Sequence, residues 1–87
     1  MAGEDVVARL VQVGLGNYVA AERVLSCQRY ADVAVQRLVR AARRHGLLLD
    51  LTAGRRTRSV LFLDSGHLLL SAIAAETMHQ RLRAIRQ

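Results

Sequence analysis

The sequence predicts an α+β fold: a small antiparallel sheet of about five strands with two helices. Leu47 to Ala72 holds three apolar, strand-length runs broken by two polar turns. Val6 to Cys27 holds two further strand-like runs around Gly14-Leu15-Gly16-Asn17. Asp32 to His45 and Ala75 to Arg86 instead repeat their apolar residues at helical spacing. With 87 residues, no proline and no linker-like stretch, the chain reads as one domain over 1–87.

Val6 to Val13 is expected to form the first strand, and the glycines and asparagine of the turn after it suit positive-φ geometry. That turn is not a dinucleotide fingerprint, which needs a third glycine and an immediately following helix. Tyr18 to Cys27 reads as the second strand, its alternation placing Val19, Ala21, Arg23 and Leu25 on one side. Asp32 to His45 is the first helix, with Asp32 as N-cap and Gly46 at the C′ position. Val35, Leu38, Val39 and Ala42 share one of its faces, and Arg37, Arg40 and Arg44 the opposite one. Leu47 to Thr52, Ser59 to Asp64 and His67 to Ala72 then read as a three-stranded antiparallel meander. Ser65-Gly66 makes a tight hairpin between the last two. The longer turn, Ala53 to Thr57, carries Arg55 and Arg56, with Arg58 just beyond. The last helix, Ala75 to Arg86, has a narrow stripe of Ala75, Met78, Leu82 and Ile85 that either closes the domain or packs on a neighbour.

Composition narrows the function classes. The chain is 52% hydrophobic but 3% aromatic, more apolar surface than so small an interior accepts, so contact between subunits is expected. Oligomerisation would add stability that a short chain lacks. The formal net charge is +6, and all 13 basic residues are arginine. Guanidinium forks bind phosphate bidentately, although net charge alone does not choose among DNA, RNA and anionic membrane. No basic leader precedes an apolar core in MAGEDVVARL, so no secretory signal is expected. No apolar run reaches the ~18 residues of a membrane span, and a cytoplasmic protein is expected. One cysteine, Cys27, excludes an internal disulfide and reads as a buried small hydrophobe.

Catalysis has little to stand on. Asp50, Asp64, His67 and His79 are the titratable groups near the meander. Asp64 and His67 merely flank a hairpin, and no spaced carboxylate pair, nucleophile motif or metal-ligand cluster appears. The expectation is no enzyme, no cofactor, no metal and no small-molecule substrate. The Arg55/Arg56/Arg58 turn has two readings: a solvated tip that keeps sheet edges apart, or a grip on an anion. Three guanidiniums so close repel one another, at ~1 kcal/mol or less per exposed pair, and a phosphate relieves that repulsion. The Arg37/Arg40/Arg44 face reads first as the solvated side of its helix. Arg23, placed within a strand, is open between phosphate binding and a structural reading, either a lone exposed arginine or a partner for Glu22 or Asp50. With no Trp or Phe wedge for a bilayer and too few aromatics to stack bases, membrane and single-stranded nucleic acid fit poorly. Duplex DNA fits best; an oligomeric scaffold for an acidic protein partner is the alternative.

The stretches VGLGNYVAAERV and GLLLDLTAGRRTRSVLFLDSGHLLLSAIAAETMHQRL resemble the RemA family of bacterial extracellular-matrix (biofilm) regulators. The likeness runs from Val13 to Leu82. It rests on the G-x-G-N turn at Gly14 to Asn17, on D-x-T-x-G-R-R-T-R from Asp50 to Arg58, and on D-S-x-H-x-x-L-S-A from Asp64 to Ala72. The resemblance implies a small, LytTR-like α+β protein that assembles into ring-like homo-oligomers, binds duplex DNA, bends or wraps it, and regulates transcription at the nucleoid. Its DNA-contacting arginines fall on Arg55 and Arg56, and Arg23 matches a further basic position for DNA or a subunit interface. The chain departs from the family pattern at Ala34 and Ala75, where prolines are usual, and at Ala41 and Arg44, where acids are common. Ala53 stands where the family has an aromatic residue before the arginine turn.

Overall fold

A computed structural model of the chain describes residues 9–86. Val6 to Ala8, the start of the expected first strand, lie outside the described residues. The elements are β1 (Leu10–Gly14), β2 (Asn17–Ala20), a 3-10 turn (Ala21–Arg23), β3 (Val24–Arg29), α1 (Val33–Arg44), β4 (Leu48–Asp50), β5 (Ser59–Leu63), β6 (Leu68–Ser71) and α2 (Ala75–Arg86). The α+β class and two helices match the sequence reading, but among the described residues the strands number six and form two sheets. β1 and β2 make a separate antiparallel hairpin; the main sheet runs β3-β5-β6-β4.

The expected meander is corrected. β5 and β6 are antiparallel neighbours through the Ser65-Gly66 turn, as read, but β4 lies on the far side of β6 and runs parallel to it. Strand-length apolar runs do not disclose which neighbour each run takes, and α1 carries the chain from one sheet edge, β3, to the other, β4. The central strands β5 and β6 are covered on both faces, which explains their almost continuous apolar sequence. Val60, Leu68 and Leu70 meet Val35, Val39 and Ala42 of α1 on one face. Leu61 and Leu69 meet Met78 and Leu82 of α2, with Val11 and Val13 of the hairpin, on the other.

α1 is bounded as its sequence demands. Asp32 Oδ1 accepts from the amides of Ala34 at 2.8 Å and Val35 at 3.3 Å. At the other end, Leu47 N–H donates to Ala42 O and Gly46 N–H to Arg43 O, the paired bonds of a Schellman cap. Leu38 does not join Val35, Val39 and Ala42 in the core; it is 51% exposed, at the rim of the sheet. Tyr18 to Cys27 is not one strand either. The 3-10 turn interrupts it and a bulge follows between Val24 and Ser26, so Ala21 is fully buried while Leu25 is 68% exposed. Arg23 therefore sits in a turn, not a strand. The α2 stripe closes the core, with Ala75, Met78 and Leu82 buried and Ile85 packed against them.

Candidate nucleic-acid interface

Residues Leu51 to Arg58 connect β4 to β5 and so must pass over the end of β6, which lies between them. Both ends of this loop are stitched to β6: Leu51 N–H donates to Leu70 O, and Arg58 N–H to Ser71 O at 2.8 Å. At its start, Asp50 Oδ1 accepts from the Thr52 amide at 2.9 Å and the Thr52 hydroxyl at 2.6 Å. Those bonds hold the Asp50 carboxyl below the usual aspartate range, the Thr52 hydroxyl being the largest cause and its amide the next. They also give the D-x-T spacing a physical reason that motif reading alone did not supply. Thr52 is buried, whereas Asp50 faces solvent.

A tight turn follows. Arg55 N–H donates to Thr52 O at 3.0 Å, with positive φ at both central residues, +54° at Ala53 and +79° at Gly54. Two positive values in sequence are the type I′ pattern, natural for glycine and costing about 1 kcal/mol at alanine. Gly14 supports the loop from beneath for another reason. Its φ is not positive; a Cβ there would come within 2.8 Å of Leu51 O, so only glycine lets the hairpin lie so close. Of the two glycines in the expected positive-φ turn, Gly16 alone has that conformation. Ser71 Oγ, fully buried, donates to Val13 O at 2.6 Å and fastens the same hairpin to the end of β6.

The fold sorts the arginines. Arg9 bonds Glu22 at 3.0 Å and Ile85 O at 2.9 Å. Arg81 donates to Gln12 O, and Arg86 to Ala21 O and Val24 O. These three are structural. Arg23 pairs with Asp64 at 3.5 Å, neither of the partners expected for it. Arg55, Arg56 and Arg58 are exposed, and among the described residues their guanidiniums have no hydrogen-bond or ion-pair partner.

The four candidate residues do not share one site. Arg56 and Arg58 line an open groove of about 600 Å³ with Arg29, Tyr30, Gln36 and Glu76. Arg55 opens into a smaller neighbouring groove beside Arg81, Gln12 and Leu15. Arg23 lies at the opposite end of β5, beside the β5–β6 turn, about 20 Å along the strand from Arg58. Sequence reading missed Arg29. It is a single basic residue far along the chain from the turn, and only the β3–β5 register, which sets it opposite Ser59, brings it to the groove.

Elsewhere, Cys27 is buried as expected, and burial pushes its thiol up to about 11. His79 Nε2 bonds Cys27 O at 2.8 Å. Among the described residues no group of three or more His, Cys, Asp or Glu is placed to hold a metal ion, and no helix is long and apolar enough to cross a membrane.

A family model described as RemA-like, extracellular matrix regulatory protein A-like, matches residues 10–82. Relatives carrying the name "Putative regulatory protein" are similar over most of both chains. One from Oleidesulfovibrio alaskensis is 52% identical over 73 residues, 84% of this chain and 87% of its own. One from Bacillus pumilus is 42% identical over 74 residues, 85% of this chain and 83% of its own. One from a Synechococcus strain is 47% identical over 73 residues, 84% of this chain and 82% of its own.

Proposed function

This chain belongs to the RemA-like family, and from that premise we propose that it is a DNA-binding transcriptional regulator without catalytic activity. In this reading the whole chain is one DNA-binding domain, and a ring-like homo-oligomer presents the arginine loop of each protomer to the backbone of duplex DNA, bending or wrapping it. The observation that carries it is that, among the described residues, no partner neutralises the guanidiniums of Arg55, Arg56 and Arg58, which sit on a loop stitched at both ends to the sheet. A stiff base spares the arginines much of the ordering entropy that a mobile tail would lose on binding.

Oligomerisation is supported by apolar surface that the protomer leaves open. Leu25 is 68% and Leu38 51% exposed, and they line an apolar groove with Phe62 and Leu63. Repeating a weak phosphate grip around a ring raises affinity through effective concentration, and sequence preference then comes mainly from DNA shape and deformability. Arg23 enters as a separate contact, to a second phosphate or to a neighbouring protomer. Localisation follows the DNA: cytoplasmic, at the nucleoid.

Mobility-shift and fluorescence-anisotropy titrations across a salt series test this. The Arg55→Ala/Arg56→Ala variant should bind duplex DNA far more weakly. Its salt slope should fall by ~0.9 for each phosphate that a bound protomer no longer neutralises. Undiminished duplex binding by that variant, at unchanged assembly size in light scattering, would overturn the assignment. It would favour the acidic-protein scaffold instead.

A further inference from the structure

Arg29 is the one arginine outside the loop that opens into the same groove as Arg56 and Arg58. It closes β3, directly opposite Ser59, and the next residue binds the loop's own end: Tyr30 N–H donates to Arg58 O at 3.2 Å. Arg29 thus ends β3 and Arg58 immediately precedes β5, the neighbouring strand, with one strand spacing of about 5 Å between the two backbones, well inside a Debye length. Among the described residues the guanidinium of Arg29, like those of Arg56 and Arg58, has no hydrogen-bond or ion-pair partner. Among the described residues Glu76 is the groove's one carboxylate, and it pairs with none of them. Three like charges against one is a costly arrangement that an anion relieves.

The remaining wall is polar in the same sense. Residues Ala74, Ala75 and Glu76 at the start of the 12-residue helix α2 line the groove, so the positive end of that helix opens onto it. A volume of about 600 Å³ far exceeds a lone phosphate and suits a stretch of sugar-phosphate chain.

We infer that Arg29, Arg56 and Arg58 together seat a backbone phosphate of duplex DNA, with Arg29 gripping it from the end of β3 and the loop from beside it. This rests on the DNA-binding reading above and assigns a residue outside the arginine loop to it. Glu76 acts against the seat, subtracting one charge from the groove.

Anisotropy titrations of full-length Arg29→Ala, Glu76→Gln and Arg83→Ala against one labelled duplex test it, beside the Arg55/Arg56 double variant. Arg29→Ala should weaken binding roughly tenfold, the scale of one charge-assisted hydrogen bond. Its salt slope should fall by ~0.9 per engaged protomer, alike for unrelated duplex sequences. Glu76→Gln should tighten binding, and Arg83→Ala, on α2 and outside the groove, should change it little. Wild-type affinity and slope in Arg29→Ala, with binding abolished in the Arg55/Arg56 variant, would overturn the role of Arg29 and leave the DNA reading standing. Wild-type binding in both would instead remove the DNA reading itself. Weaker binding accompanied by a smaller assembly in light scattering would also overturn the seat, assigning Arg29 to a subunit interface.

Discussion

Asp50→Ala tests how the arginine loop is held, because one carboxylate oxygen ties down its first buried residue. The substitution removes two bonds, to the Thr52 amide at 2.9 Å and the Thr52 hydroxyl at 2.6 Å. Bonds to a charged acceptor are worth about 1.5–3 kcal/mol each when well shielded. The Asp50 carboxylate is almost wholly in solvent, so about 0.5–1.5 kcal/mol each is the appropriate scale. The expected loss is therefore about 1–3 kcal/mol at pH 7. Urea unfolding at fixed protein concentration would show it as a midpoint lowered by about 1–2 M. Asp50→Asn, which keeps an acceptor oxygen but no charge, should retain roughly half of the contribution. The carboxyl pKa is lowered in the folded chain, so its contribution is complete above the ordinary aspartate value of 3.8 and is lost as pH falls through the depressed folded value. The gap between wild type and Asp50→Ala should thus be full at neutrality and narrow in acid below about pH 4, toward the part that a neutral acceptor keeps. A gap under about 0.5 kcal/mol at pH 7, or one that persists undiminished in acid, would refute the idea that this carboxylate organises the loop.

Two further outcomes follow from other parts of the fold. Gly14→Ala places a Cβ 2.8 Å from Leu51 O, a backbone atom that cannot swing aside, so it should destabilise the fold by about 1–3 kcal/mol. Chemical denaturation measures this, and a neutral substitution would show that the hairpin is not pressed onto the loop. Cys27 should resist alkylation at pH 8 in the native protein and react freely in denaturant, because burial raises its thiol to about 11. The unfolded thiol ionises near its ordinary value of 9.0 while the folded one stays protonated, so stability should fall as pH rises from about 9 toward 11. Equal alkylation rates in the two states, followed by mass spectrometry, would contradict that burial.

Local signals in the chain were legible, and pairings between distant segments were not. Asp32 and Gly46 bounded α1 because capping acts within a few residues. The β5–β6 hairpin was readable from Ser65-Gly66, and the α2 stripe from its spacing. β4 escaped because an apolar run of its length is compatible with either neighbour and either direction; the choice is made by where α1 delivers the chain. Leu38 and Leu25 escaped because periodicity reports which way a side chain points, not whether anything lies beyond it. The arginine loop was found from its charge cluster, while Asp50, Thr52 and Ser71, which hold the loop and its support, look like ordinary turn and strand residues until their partners are known.

The misread strand order is also what makes the candidate site. In a meander, the arginines would crown a turn between adjacent strands, whose ends are one strand spacing apart. With β6 lying between β4 and β5, the loop spans two spacings, about 10 Å, and is bonded to β6 on the way. That wider bridge separates Arg55 from Arg56, giving each a groove on its own side. It also carries Arg58 to the end of β3, where Arg29 waits, and lays the loop against the start of α2. Thirteen arginines are indistinguishable in composition, but this crossing selects which of them meet. If phosphate binding follows the groove rather than the motif, Arg56 and Arg29 should behave as one coupled pair in a double-mutant cycle, and Arg55 should add to either independently.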